Sequence, residues 1–251
     1  MSVPVRHRAV IFFCALLTFV AGSVMFSQYK VKAAALSGSS ISGIVRLEGT
    51  APHQRPIDMS KEPSCALMHK ANLVTTESVV AGPDGGLKNV VVYISQGWTG
   101  PAQASTASPI LDQKGCQYIP HVMAVNAGQP FKVLNSDQTS HNVHPMPAPG
   151  GANQEWNKSQ SPGAQPIVSS WNGEEVAIHV KCNIHPWMSG YIAVVKGPYS
   201  ITNQKGAFRI ENIPPGDYTL SAWQETYGTQ TQKVTVAAGK PATVNFAFKA
   251  K

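Results

Sequence analysis

The chain reads as an all-β protein built from more than one sandwich. Charged residues make up only 13% of it, while Gly and Pro number 21 and 19, a composition that suits short strands joined by many turns. Apolar residues recur in short alternating runs, and no long stretch carries the stripe of an amphipathic helix. A length of 251 residues accommodates one large or two modest domains with a substantial core.

The N-terminal segment is a targeting pattern. Arg6 and Arg8 precede an apolar run over 9–26, and Lys30 and Lys32 lead to Ala33, Ala34 and Ala35. A basic region, an apolar region and a small-residue site are the parts of an export signal, and the apolar run is also close to the length of a spanning helix. Two readings of 1–35 therefore stand, a cleaved signal peptide or an N-terminal anchor that tethers the protein to a membrane. Both place the body of the protein outside the cytoplasm, in the periplasm or an equivalent compartment. Cys14 lacks the preceding small residue of a lipoprotein signal and reads as a small hydrophobe. Losing the four cations of this segment takes the formal charge from +7 to +3. No basic run or nucleic-acid motif remains, which excludes nucleic acid as a partner.

Residues 41–47 alternate as a strand, ended by Glu48, Gly49 and Thr50. Pro52, Pro56 and Pro63 punctuate a polar excursion, and this 36–84 region joins the strand to a strong turn at 83–86. Residues 89–94 form an apolar, β-branched strand, and 97–109 a small, polar loop. A strand over 130–134 runs through the polar turn 135–140 into His141. Residues 145–166 are rich in Gly, Pro, Asn and Gln and read as a long irregular loop near the functional end. Strands follow at 176–182 and 190–195. Five shorter ones are expected over 199–202, 207–210, 218–223, 232–236 and 242–248, with turns at 203–206, 214–217 and 238–241.

The chemistry concentrates in two runs. Cys182, His185 and Met188 lie on a tight loop between two strands, and His141-Asn142-Val143-His144 follows another strand. A thiolate and two imidazoles with a weak thioether are the ligand set of an electron-transferring copper centre. Zinc accepts cysteine and histidine, but thioether is not among its usual ligands, so Met188 favours copper.

The two motifs together resemble the cupredoxins, most closely the amicyanin-like members with the same Cys-x2-His-x2-Met loop and a His-Asn-Val-His run; plastocyanin-like loops have more residues before the methionine. The resemblance covers about 85–196 and implies a Greek-key β-sandwich holding one type 1 copper ion. By this match His141, Cys182 and His185 are ligands, Met188 is the axial ligand, and His144 does not ligate. It also implies an electron carrier with a redox donor and acceptor, with His185 nearest solvent. Pro186, Trp187 and Met146 or Pro147 would then form an apolar docking patch, although Trp187 equally fits a packed loop anchor. His144 and His179 read as packing or surface residues. Residues 197–251 resemble carboxypeptidase regulatory-like, or prealbumin-like, modules, a smaller β-sandwich. Such modules open with a strand like 42–45, so the first strand is expected to belong to the C-terminal module, with the copper domain inserted. No zinc-protease His-Glu-x-x-His occurs.

Three cysteines lie beyond the N-terminal segment. With Cys182 assigned to copper, Cys65 and Cys116 are free to pair in an oxidising compartment, and the alternative is a second metal site made with His69 and His121. Enzyme chemistry is disfavoured by the lack of a second histidine-rich copper set, a Cys-x-x-Cys-His haem site, a Gly-x-Ser-x-Gly or a P-loop. Two other readings accompany the carrier. One is a non-redox cell-envelope protein whose sandwiches bind carbohydrate or protein, and the other is copper storage or delivery.

Overall fold

The computed structural model describes residues 38–101 and 108–250; the expected leader or anchor over 1–35 lies outside them. The chain runs through β1 (Ser39–Glu48), the short helix α1 (Pro63–Met68), β2 (Val91–Gln96), β3 (Ile110–Gln113), β4 (Tyr118–Ile119), β5 (Val122–Asn126) and β6 (Phe131–Asn135). It continues as β7 (His141–Met146), β8 (Lys158–Gln160), β9 (Ile167–Ser169), β10 (Glu175–Lys181), β11 (Ser189–Val195) and β12 (Tyr199–Ile201). It ends with β13 (Ala207–Ile213), β14 (Gly216–Gln224), β15 (Gly228–Val236), β16 (Ala242–Thr243) and β17 (Phe246–Lys249). The fold is all-β, and no described helix is long and apolar enough to cross a membrane.

Four sheets organise these strands, in the orders β13-β1-β16 with β17 also on β1, β12-β2-β14-β15, β5-β11-β10-β7-β8, and β4-β3-β6-β9. Three apolar cores lie between them. Ile41, Val45, Phe208 and Phe246 from the first sheet meet Val92, Ile94, Leu220 and Ala222 of the second. Val91, Tyr93 and Trp223, on the other side of the second sheet, meet Val122, Ala124, Ala193 and Val195 of the third. Met123, Val125, Ile192 and Val194 then turn to the fourth sheet, where Leu111, Phe131 and Val133 complete the last core. Strands buried on both faces lose the polar half of the alternation, which is why β2, β5 and β11 are continuous apolar runs. Across the middle core the Tyr199 hydroxyl donates to the Ala124 carbonyl at 2.8 Å, and Asn126 Nδ2 donates to Gly197 O at 3.0 Å.

The pairing places the first strand with the last ones. Antiparallel pairing sets Ser42 opposite Arg209, and parallel pairing sets Val45 opposite Phe246. The grouping of 85–196 read from sequence differs from this sheet order, because β2 pairs with β14 and β12 rather than with any strand of the ligand-bearing sandwich. A strand apolar on both faces carries no mark of which sheet it joins. The chain thus leaves one sandwich after β2, builds β3–β11, and returns through β12. Within the expected irregular stretch 145–166, the short strand β8 pairs with β7.

β1 passes from β16 to β17 at Gly43, where a Cβ would meet the Val244 carbonyl oxygen at 1.7 Å. Gly43→Ala must push this backbone contact apart, and we expect a loss of about 1–3 kcal/mol or more, read as a lowered midpoint in chemical denaturation.

Candidate metal centre

The candidate ligands sit where β10 ends and where β7 and β11 begin. β10 delivers Cys182, and the loop after it is closed by Cys182 N–H donating to Met188 O at 3.2 Å and Met188 N–H donating to His185 O at 2.9 Å. These two bonds turn the loop back on itself and carry His185 under His141. His141 opens β7, which is paired with β10.

The structure brings His141, Cys182 and His185 together, with one ligand atom from each inside a span of 4.8 Å. His141 Nδ1 faces His185 Nδ1 at 2.9 Å, and Cys182 Sγ lies 3.9 Å from His185 Nδ1. Such separations suit donors sharing one ion with bonds of about 2.0–2.3 Å. Met188 belongs to the same buried cluster as Cys182, and all four side chains are closed to solvent, none more than 2% exposed. Two imidazole nitrogens aimed at each other beside a thiol, with a thioether in the same core, fit a copper ion better than a hard cation.

The surroundings favour a charged Cys182 and a charged His141, the latter giving up its proton when an ion binds, and a neutral His185. Burial opposes the Cys182 thiolate, but the hydrogen bond with His141 and the N–H groups of Asn142 and His185 outweigh it and hold its pKa below the usual thiol value. Those N–H groups stand 3.5 and 3.4 Å from the sulfur. Burial likewise opposes the His141 imidazolium, yet Asp137 and Cys182 raise its pKa to about 9. His185 is pushed down by burial and by the neighbouring His141 charge.

Sequence reading missed the groups that hold these ligands. His141 Nε2 donates to Asp137 Oδ2 at 2.9 Å, which fixes the ring and leaves Nδ1 facing the centre. The same carboxylate accepts Gly115 N–H at 2.6 Å and Cys116 N–H at 2.7 Å. Both residues have positive φ, 63° and 52°, as the middle of a two-residue hairpin turn between β3 and β4 requires. Asn142 Oδ1 accepts Asn183 N–H at 2.6 Å and Ile184 N–H at 3.3 Å, pinning the ligand loop to β7. The one available signal was position, since Asp137 lies four residues before His141 and Asn142 directly after it.

Cys65 and Cys116 form a disulfide, His69 Nε2 donates to Gly115 O at 2.7 Å, and His121 pairs with Glu225. The alternative second metal site over Cys65, His69, Cys116 and His121 is therefore corrected, because each member is bound elsewhere. His144 contacts Asn183 and Glu155, and His179 contacts Ser189. The resemblance implied a solvent-facing His185. Instead His185 is 2% exposed and Pro147 is buried, while Pro186 stays exposed and Trp187 is partly buried with its indole N–H on Cys116 O at 3.2 Å. The excursion after β1 accounts for this: Glu62 Oε2 lies 3.8 Å from His185 Nε2, and Cys65 of α1 is tied to Cys116.

Residues 193–249 match the carboxypeptidase regulatory-like domain. That match takes in β12–β17, which the structure completes with β1 and β2. Among solved structures, the chain is similar to amicyanin from Paracoccus versutus (16% identity, 41% of this chain and 96% of that one, TM-score 0.31). It is similar to a purple cupredoxin from Nitrosopumilus maritimus (19% identity, 35% and 99%, TM-score 0.30). A third is the Cu-containing nitrite reductase of Thermus scotoductus SA-01 (18% identity, 39% of this chain, TM-score 0.32), of which the chain spans only 25%. No curated protein matches the chain.

Asp137→Asn keeps the size of the side chain but removes the charge behind His141. We expect copper affinity to fall about 10–100-fold, measured by competition with a chromophoric chelator.

Proposed function

We propose that the protein is an exported type 1 copper protein that passes single electrons between redox partners, its ion held by His141, Cys182, His185 and the axial Met188. The observation that carries this reading is the buried convergence of two Nδ1 atoms and a thiol sulfur within 4.8 Å, with Met188 in the same core. Bound copper supplies a one-electron couple. The chain supplies the rest: Asp137 orients His141, Asn142 latches the loop, and backbone N–H groups stabilise the Cys182 thiolate. A preformed set of this kind rearranges little when the charge at its centre changes, which is what rapid electron transfer needs.

An extracytoplasmic place fits the export-like N-terminus together with a disulfide, a bond that persists in oxidising compartments. Carrier rather than enzyme is the reading favoured by the burial of all four proposed ligands, which would shield a bound ion from water and substrate.

Titration of the purified protein with Cu(II), followed by absorption and electron paramagnetic resonance, tests the ligand set. An intense visible band that vanishes in Cys182→Ser and shifts in Met188→Ala is the expected result. A colourless protein at full copper loading overturns the carrier and turns attention to a non-redox envelope-binding role.

A further inference from the structure

The excursion after β1 does more than fill space. It puts Glu62 beside His185 and is fastened by Cys65–Cys116, and both cysteines are 0% exposed. Burial shields this disulfide from reductants in solution and keeps the cover fastened. The Trp187 indole and the His69 ring add hydrogen bonds to the carbonyls of Cys116 and Gly115 on the same turn.

Cys182 and Met188 are as deeply buried as His185, but they also border a surface depression. A shallow depression on the outer side of the β10–β11 pair is lined by Cys182 and Met188, with Lys181, Asn183 and Pro186 around them. Asn183 and Pro186 are exposed, and Ile184, between them in the loop and at the edge of this lining, is 50% exposed. Lys181 forms no ion pair among the described residues, whereas the nearby Glu155 is engaged by His144 at 2.5 Å.

We infer that electrons enter and leave through this depression, beside Cys182 and Met188, and that it docks a redox protein presenting carboxylates around an apolar spot. This rests on the carrier reading. Ile184 and Pro186 supply the apolar contact, Lys181 supplies the complementary charge, and the thiolate gives a one-residue path from the surface to the ion. His185, the imidazole under the cover, serves as a ligand without being the point of exchange.

The test uses the copper-loaded protein and two small one-electron reagents of opposite charge, ferricyanide and tris(phenanthroline)cobalt(III). Each takes one electron from the reduced protein, so that Cu(I) becomes Cu(II) and the reagent's metal falls from the trivalent to the divalent state. Lys181→Glu is expected to slow oxidation by ferricyanide roughly fivefold near 0.1 M salt, to speed oxidation by the cobalt complex, and to lose both effects as salt rises. Lys70→Glu makes the same charge change at an exposed residue of the cover that touches none of the four proposed ligands, and is expected to leave both rates within a factor of about 1.5. Rates that follow Lys70→Glu and ignore Lys181→Glu, or that follow neither, overturn the assignment of the port. Absence of the intense visible band in the parent protein strikes the carrier reading instead, and is seen before any rate is measured.

Discussion

Burial of the middle sheets on both faces is the constraint from which the rest of the structure follows. β11 sends Ile192 and Val194 into one core and Ala193 and Val195 into the next, and each fully buried aliphatic side chain is worth about 1.5–3 kcal/mol. A strand held from both sides has no free face on which to carry chemistry. Only its ends are available, and there the proposed ligands sit: Cys182 just beyond β10, Met188 just before β11, and His141 at the first position of β7. Because β10 and β11 cannot slip without turning apolar side chains to the wrong side, the loop between them inherits a fixed geometry.

Around that loop, polar groups are arranged so that one residue serves several partners. Asp137 takes three hydrogen bonds, from His141 and from two N–H groups of the turn that carries Cys116. Burial alone would raise its pKa, but these bonds hold the carboxyl below its ordinary value and keep it charged. Asn142 does the same for the other side, donating its N–H to Cys182 and accepting from Asn183 and Ile184. The Tyr118 hydroxyl completes this by donating to the Asn142 carbonyl at 2.6 Å. The electrostatics of the site are thus set in large part by groups outside the ligand loop, on β4, on the turn before β7 and on β7 itself.

Much of this was legible in the sequence because the signals were local. Cys182, His185 and Met188 share one loop, and the strands over 190–195 and 218–223 announce themselves by β-branched and aromatic content. What stayed hidden depended on contacts between distant residues. Val91 and Tyr93 look like any core strand, and only pairing with Trp223 and Val92's neighbour Ala222 shows which sandwich they join. Asp137 sits in a polar turn whose composition is ordinary; its role appears when the turn at Gly115 and Cys116 is folded against it. The proline-rich stretch over 50–80 carries almost no periodicity, so its position over His185 has no trace in local pattern.

That position leads to a contrast between the two imidazoles. His141 is oriented by a charge-assisted hydrogen bond at its far nitrogen, the usual means of fixing a ligating ring. His185 has a looser one: no hydrogen bond reaches its buried Nε2 among the described residues, and Glu62 Oε2 stands 3.8 Å away, an arrangement that costs up to roughly 1–3 kcal/mol. Its ring is held instead by packing, against Trp187 with centroids 5.2 Å apart and His141 at 4.8 Å, under a segment tied down by the disulfide. A loop of 51 residues' separation closed in this way contributes roughly 4 kcal/mol in the chain-entropy account, enough to offset an unpaired nitrogen. Covalent fastening and aromatic contact thereby do for His185 what the carboxylate does for His141, and the exclusion of water from His185 is the consequence.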